Sequence, residues 1–231
     1  LVQPSREKTT KVPTLTYFDV DGLGKAIRDT FQYASLEFVD KRITKDEFDA
    51  LKSAFPYGKV PVLQVGTTTI AQSKAILRYA SKLGKTYSRN PETAAIIDQW
   101  TDLHSEFMNL MVINMYPDRH GLAEGYDAAN HRRYLLNTHI PKYMQFLEDE
   151  LNENEDDTWL GSMDAISMAD IAWYSTLKWL KSGKFDGFTA DQLHGYPNVY
   201  RFIDEVESQL EWEHDLKEES TEEKTSEKKE Q

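Results

Sequence analysis

The chain contains no cysteine among its 231 residues, and no hydrophobic run approaches the length that spans a membrane. The first absence excludes disulfide bonds, thiolate metal sites and any cysteine nucleophile. Positive charge is also scarce, because 27 Lys and Arg residues stand against 39 Asp and Glu residues, a net charge of −12. Nucleic acid and anionic membranes are therefore not expected as main partners. We expect a cytoplasmic protein.

Apolar residues are numerous enough to build a core: they make up 39% of the chain and include five Trp, twelve Tyr and ten Phe. The two ends differ from the rest. The last fifteen residues, KEESTEEKTSEKKEQ, contain no apolar side chain and cannot offset the entropy cost of ordering. We therefore expect a flexible N-terminal extension over residues 1–12 and a disordered acidic tail over residues 216–231.

Residues 13–85 alternate between strand-like and helix-like patterns. Leu15–Phe18 and Leu36–Val39 are predicted strands, and the apolar residues between them follow helical spacing. Such a β-α-β unit is expected to have parallel strands joined by a right-handed crossover. Val60–Val65 and Thr67–Ala71 are separated by so short a turn that they must be antiparallel, and a helix follows them. The order β-α-β, then β-β-α, is that of a thioredoxin-like domain.

After Asn90 the strand signals end. Asn90 is a capping residue followed by proline, which suits the first position of a helix, and the apolar spacing continues to about Tyr116. A second long helix is predicted over Asp127–Leu151. The sequence from Ser167 to Asp170 forms a capping box at the start of a third helix, and a last helix is predicted over Pro197–Glu207. Residues 90–215 are therefore predicted to form an all-α domain.

The most informative segment lies between these regions. It consists of a loop with the sequence FPYGKVP, residues 55–61, two short strands, and a helix that starts abruptly at Gln72-Ser73. Pro61 can enter a strand because an entering residue need not donate to the ladder. A polar pair at a helix N-terminus is a ready anion site, since unpaired backbone N–H groups and the helix dipole both point toward the ligand.

With these motifs in this order, the span from about Leu15 to Trp212 resembles a cytosolic glutathione transferase. It is most similar to the sigma class, which includes haematopoietic-type prostaglandin D synthases and cephalopod S-crystallins. The resemblance rests on LTYF at 15–18, the loop at 55–61, QSKAILRY at 72–79, and Trp159-Leu-Gly with Ser-Met-Ala-Asp170. It implies an N-terminal thioredoxin-like domain and a C-terminal all-helical domain, a homodimer, glutathione as co-substrate and no metal. The implied activity is conjugation of glutathione to hydrophobic electrophiles, or their isomerisation.

The resemblance also implies that Tyr17 is the catalytic residue. Only the thiolate of glutathione is a good nucleophile, and an O–H donor aimed at the sulfur lowers the thiol pKa by favouring the charged form. The alternative for a strand tyrosine is simple packing against the sheet. The neighbouring loop and the Gln72-Ser73 pair favour the catalytic role.

Further roles follow from the resemblance, position by position. Gln72 and Ser73 match residues that hold the γ-glutamyl carboxylate, and Val60 matches the residue whose backbone pairs with the cysteinyl unit before a cis proline, Pro61. Lys52 matches a lysine at the glycyl carboxylate. The remaining implied contacts are Phe48, in place of a tryptophan that donates to the glycyl end, a peripheral Lys59, and Glu106, which the dimer presents to the partner's glutathione amine.

A hydrophobic-substrate pocket is implied by the same resemblance, although methionines at helical spacing are more often core residues. Its expected lining is Val20, Leu23, Met108, Met111, Val112 and Met115. The turn after the first strand departs from the family, because Asp21-Gly22-Leu23 replaces Arg-Gly-Arg. Loss of that positive charge is expected to weaken thiol activation. The alternative function is therefore a non-catalytic, crystallin-like structural or interaction protein with the same fold.

Overall fold

The computed structural model of the chain describes residues 11–122, 125–153, 159–161 and 163–210. The chain divides into two compact units, Leu1–Gly84 and Lys85–Gln231. Most of the expected N-terminal extension and all of the expected acidic tail lie outside the described residues. Within the described residues, no helix combines the length and the apolar character needed to cross a membrane.

Within residues 11–84, the described part of the first unit, there are one four-stranded sheet and three α-helices. The strand order is β2-β1-β3-β4; β1 and β2 are parallel, and both β1–β3 and β3–β4 are antiparallel. This confirms the predicted thioredoxin-like domain. The bounds are β1 Thr14–Phe18, α1 Lys25–Tyr33, β2 Val39–Ile43, α2 Lys45–Leu51, β3 Val62–Val65, β4 Thr68–Ala71 and α3 Ser73–Gly84.

One prediction for this unit was wrong in detail, and one helix was not predicted. The second strand was predicted over Leu36–Val39, but β2 begins at Val39. The preceding residues instead close α1: the Leu36 N–H donates to the Phe31 carbonyl, and Ser35 has φ of 53°. The strand is charged because it lies at an edge of the sheet, where apolar alternation is not required. Helix α2 was not predicted, although Thr44 and Glu47 form a capping box at its start.

The second unit is helical, as predicted. Asn90 caps its first helix by accepting from the Thr93 N–H at 2.9 Å. Short 3₁₀ turns lie at Pro117–His120 and Ala190–Gly195. The helices are α4 Pro91–Met115, α5 Ala128–Tyr134, α6 Ile140–Glu153, α7 Met168–Lys181 and α8 over 197–210.

The predicted second long helix is not regular throughout. A π turn, Leu135–His139, separates α5 from α6. The cause lies in Pro141, which has no N–H to donate and whose ring would clash with the carbonyl four residues earlier. A local widening of the helix relieves that clash, so the chain continues without ending the helix.

Helix α7 lies at the centre of the helical core, and most of its residues are buried. The Trp173 indole N–H donates to the Trp100 carbonyl at 2.9 Å, which joins α7 to α4. At the start of α7, the carboxylate of the fully buried Asp170 accepts from the N–H groups of Leu160 and Ser167 at 2.8 and 2.7 Å. Burial raises the pKa of Asp170 to about 6, against the effect of these hydrogen bonds.

Candidate active site

Tyr17 lies near the end of β1 with its side chain on the buried face that it shares with Leu15. Only 7% of the residue is exposed. Its hydroxyl oxygen accepts a hydrogen bond from the Leu23 backbone N–H at 3.1 Å. This contact uses the acceptor capacity of the oxygen and polarises the O–H group, which makes the hydroxyl a stronger donor.

The turn between β1 and α1 packs closely against Tyr17. A Cβ atom added at Gly22, where φ is +37°, would lie 2.7 Å from the tyrosine hydroxyl oxygen. A Cβ atom added at Gly24 would lie 2.6 Å from the ring atom Cδ1. Both positions therefore need glycine, because any side chain would displace the tyrosine.

Strand register brings three of the predicted site residues to the same end of neighbouring strands. Thr16 is opposite Val62, and Val62 is opposite Ala71. Tyr17, Pro61 and Gln72 are the next residues along the chain beyond this last paired row of β1, β3 and β4. All three therefore lie at the same end of these neighbouring strands.

The loop before β3 has the predicted backbone form. The Val60–Pro61 peptide bond is cis. Pro61 is buried and Val60 half-buried, while Lys52 and Lys59 are exposed. Tyr57 has φ of 57° and is 77% exposed. The ladder of β3 with its neighbours begins at Val62, so Val60 lies just outside the sheet pairing.

Gln72 and Ser73 form the junction between β4 and α3. Gln72 is exposed with φ of 74°, an unusual conformation for a residue other than glycine, and its carbonyl accepts from the Ile76 N–H at 3.0 Å. Non-glycine residues in this region cluster at ligand sites, where the surrounding structure maintains the strain. Ser73 is the first residue of α3, so its hydroxyl stands beside the positive end of the helix dipole.

Phe48 lies on α2 and packs against two aromatic rings outside that helix. Its ring meets Phe18 edge-on at 5.3 Å between centroids and stacks on Phe55 at 6.0 Å. The Lys45 ammonium lies 5.7 Å from its centroid. Phe48 on α2 therefore packs against Phe55, the first residue of the cis-proline loop.

Arg28 on α1 was not predicted to take part in the site. It is only 4% exposed, and its guanidinium carbon lies 5.8 Å from the centre of the Tyr17 ring. It also contacts the end of β1 and Asp40 of β2. The sequence did contain a signal, because an arginine within the apolar spacing of a helix needs a buried partner.

In the helical unit, the expected pocket residues on α4 differ in exposure. Met111 is fully buried, so its assignment to the hydrophobic-substrate pocket is wrong; it is a core residue. Met108, Val112 and Met115 are half-buried, and the Met108 sulfur accepts from the Thr176 hydroxyl. Val20 and Leu23, on the turn of the first unit, are 56% and 41% exposed.

Acidic residues of α4 have different surroundings. Asp98 accepts from the Tyr87 hydroxyl at 2.7 Å. Glu106 is exposed. Burial first, and then the charge and hydrogen bond of Glu106, raise the pKa of Tyr143. A groove of about 530 Å³ lies between α4 and α6, lined by Gln99, Trp100, Asp102, Leu103, Glu106, Phe146, Asp149 and Glu150.

Among the described residues, no group of three or more His, Asp or Glu side chains could hold a metal ion.

Two family models match the chain. The model of the glutathione S-transferase N-terminal domain matches residues 13–82, and a model of the C-terminal domain matches residues 102–211. Among curated proteins, "Glutathione S-transferase 2" of Caenorhabditis elegans is 30% identical over 157 residues, which cover 68% of this chain and 82% of that protein.

Solved structures agree with this match. A prostaglandin synthase D of Nilaparvata lugens has a TM-score of 0.74 at 26% identity, covering 87% of this chain and 96% of that one. The structure of monomeric Na-GST-3, a glutathione S-transferase of the hookworm Necator americanus, has a TM-score of 0.75 at 26% identity, covering 89% and 97%. On these similarities and on the fold described above, the chain belongs to the glutathione S-transferase family.

Proposed function

We propose that this chain is a tyrosine-type, sigma-like glutathione transferase in which the Tyr17 hydroxyl activates the thiol. The proposal is supported above all by the placement of Tyr17, Pro61 and Gln72, which directly adjoin the last paired row of β1, β3 and β4 at the same end of these strands. A tripeptide bound in extended form across these strand ends would have its central residue near the tyrosine. Family membership supplies the co-substrate, glutathione.

Glutathione binding is proposed to use groups on both sides of Tyr17. Gln72, Ser73 and the N-terminus of α3 would hold the γ-glutamyl carboxylate, and the backbone of Val60 would pair with the cysteinyl unit. Lys52 would meet the glycyl carboxylate, with Lys59 at the periphery. The charge of the unit agrees with an anionic ligand, because residues 11–84 contain 11 Lys and Arg against 8 Asp and Glu.

Chemistry would begin with the thiolate. The Tyr17 O–H donates a hydrogen bond to the sulfur and stabilises the anion, while the Leu23 N–H polarises the hydroxyl from its other side. A lone pair of the sulfur attacks an electrophilic carbon, a C–S bond forms, and the leaving group departs with its electron pair. Val20 and Leu23, exposed on the turn beside Tyr17, are proposed contacts of the hydrophobic electrophile.

A homodimer is proposed as the assembled form, with Glu106 of one subunit near the glutathione amine of the other. Charge supports this: residues 85–210 contain 21 Asp and Glu against 10 Lys and Arg, and Asp102 and Glu106 line the α4–α6 groove. Lys74, Arg78 and Lys82 recur every fourth residue on α3 of the oppositely charged unit. The relative Na-GST-3 is described as monomeric, so the assembly needs a direct measurement.

Sedimentation of the purified chain at micromolar concentration tests the assembly. A dimer that weakens as salt rises is expected, because opposite charges across the interface are screened. Glu106→Gln should weaken glutathione binding only in the dimer. A monomer would remove the proposed role of Glu106, leaving the role of Tyr17 intact.

A second candidate is the non-catalytic, crystallin-like relative. The turn beside Tyr17 favours it, because Asp21 and Leu23 provide no positive charge there. Two measurements together separate the candidates: retention on immobilised glutathione and turnover of chlorodinitrobenzene. The proposed transferase shows both. Retention without turnover between pH 6 and 9 would favour the non-catalytic protein.

A further inference from the structure

Arg28 is a charged side chain placed almost entirely inside the thioredoxin-like unit, with 4% of its surface exposed. Burying a charge is costly unless it is paired and its hydrogen-bonding groups are satisfied. A buried arginine beside a proposed catalytic tyrosine therefore needs a specific explanation, and its contacts provide one.

All three nitrogens of the guanidinium have partners. Nε donates to both carboxylate oxygens of Asp40 at 3.1 and 3.0 Å. Nη1 donates to the Val20 carbonyl at 2.7 Å, and Nη2 donates to the Phe18 carbonyl at 3.1 Å. These two carbonyls lie on either side of Asp19, where β1 ends and the turn begins. Arg28 thus fixes the turn to α1 and to β2 at once.

The Tyr17 ring lies close both to this guanidinium and to the glycines of the same turn. The Arg28 Cζ atom is 5.8 Å from the ring centre. A Cβ atom at Gly24 would approach both the Tyr17 ring, at 2.6 Å, and the Arg28 Nη1 atom, at 3.0 Å. The turn also provides the Leu23 N–H that donates to the tyrosine hydroxyl. A shift of the turn would therefore displace both the Tyr17 ring, which packs against it, and the Leu23 N–H that donates to the tyrosine hydroxyl.

The net charge around Arg28 argues for a geometric role. Within residues 11–84, Arg28 pairs with Asp40, Asp40 also pairs with Arg42, and Arg42 pairs with Asp19. This series of ion pairs contains two positive and two negative side chains, so its formal charge is zero. The exposed Asp21 adds a negative charge to the turn. The local electrostatic field therefore stabilises the thiolate little, whereas the hydrogen bonds of the Arg28 guanidinium fix the positions of the backbone atoms in the turn.

We propose that Arg28 is the positioning residue of Tyr17: it fixes the carbonyls at the end of β1 and so holds the tyrosine hydroxyl, with its Leu23 donor, at the sulfur of glutathione. This inference rests on the proposed thiol activation by Tyr17. Lysine cannot replace arginine here, because a single ammonium cannot donate in a fixed planar fork to a carboxylate and two carbonyls.

The test compares Arg28→Lys with Arg42→Lys. Both substitutions keep the charge and both alter a pair with Asp40, but Arg42 is exposed and has no bond to the Phe18 or Val20 carbonyl. For Arg28→Lys, the pH midpoint of kcat with chlorodinitrobenzene should rise by about 0.5 to 1 unit, since part of a charge-assisted hydrogen bond is lost. The Kd for glutathione should stay within about two-fold, because Gln72, Ser73 and Val60 are untouched. Arg42→Lys should keep the parental midpoint.

The pH midpoint distinguishes positioning from stability, because a smaller folded fraction lowers the rate without moving a midpoint. Equal midpoints in Arg28→Lys and Arg42→Lys would overturn the proposal. If Arg28→Lys does not fold, Gly24→Ala tests the same contact, because the added Cβ atom would meet both the Tyr17 ring and the Arg28 Nη1 atom, and an unchanged midpoint there would overturn the proposal equally.

A double variant separates this inference from the function on which it rests. Added to Tyr17→Phe, the Arg28→Lys substitution should cause no further midpoint shift, because Arg28 acts through the missing hydroxyl. An additional shift of the same size would overturn the positioning role while leaving Tyr17 as the activator. If Tyr17→Phe alone leaves rate and midpoint unchanged, the thiol activation by Tyr17 fails and the inference fails with it.

Discussion

In the thioredoxin-like unit the buried charge of Arg28 lies against the proposed catalytic tyrosine, whereas in the helical unit the buried charge of Asp170 lies at the start of the central helix. Arg28 donates to carbonyls at the end of a strand. Asp170 accepts from backbone N–H groups where α7 begins. Both charges satisfy backbone groups that secondary structure leaves unpaired. Arg28 bonds to the turn beside the candidate site, and Asp170 bonds to backbone groups in the helical core.

The surface charge of the two units differs as well. Residues 11–84 have a net charge of +3 and residues 85–210 a net charge of −11. The positive unit contains the residues proposed to bind the carboxylates of glutathione. The negative unit contains the acidic groove proposed to face a second subunit. The comparison predicts that substitutions in the first unit change catalysis more than stability, and that substitutions in the second do the reverse.

The largest effect is expected for Asp170→Ala. This change leaves the N–H groups of Leu160 and Ser167 buried without acceptors, and each unsatisfied group costs about 1–3 kcal/mol. We expect the free energy of unfolding to fall by about 3 kcal/mol in urea titrations. Asp186→Ala is the matched control, because Asp186 is exposed and its pair with Arg132 is worth little. A loss as small as that of the control would remove Asp170 from its central role.

Stability should also depend on pH through Asp170. Its folded pKa is about 6, above the ordinary value of 3.8, so the folded state binds more protons between these values. The contribution of Asp170 to stability is therefore largest below pH 4 and decreases as pH rises to about 6, by roughly 2–3 kcal/mol. The difference in unfolding free energy between the parent and Asp170→Asn, which cannot titrate there, measures this decrease. A difference that grows over the same interval would contradict the prediction.

Tyr17→Phe should change catalysis while leaving stability nearly intact. Turnover should fall ten-fold or more, because a hydrogen bond to a charged group is worth roughly 1.5–3 kcal/mol, and the pH midpoint of the rate should rise. The Kd for glutathione should stay within a few-fold, since the other contacts remain. Tyr200→Phe removes a tyrosine hydroxyl on α8 and serves as the control. Parental rates in Tyr17→Phe would show that the hydroxyl is not the activator.

The smallest effect is expected for Leu23→Arg, which restores positive charge to the turn beside Tyr17. The side chain at this position is 41% exposed, so solvent screens much of the added charge. We expect the pH midpoint of the rate to fall by about half a unit, as the thiolate is favoured. Leu23→Gln, similar in size and neutral, is the control. A fall of equal size in both variants would exclude a charge effect.

The local backbone of the candidate site was predictable from residues alone because it depends on neighbours in the sequence. Gln72-Ser73 opens a helix wherever that helix lies, and Pro61 follows a loop of recognisable sequence. Met111 was misassigned because methionines at helical spacing look the same whether they line a pocket or fill a core. Arg28 was missed because its function depends on partners 8 to 12 residues away in sequence, on another turn and strand.

By itself, the sequence determined the two-part organisation and the capping of α4 and α7, since each follows from periodicity or from groups within a few positions of one another. Only the tertiary structure decided that Tyr17, Pro61 and Gln72 lie at the same end of three neighbouring strands, that β2 is a charged edge strand, and that Arg28 bonds to the turn beside Tyr17. Strand register and the pairing of a buried charge are contacts between distant segments. They exist only once the sheet has formed.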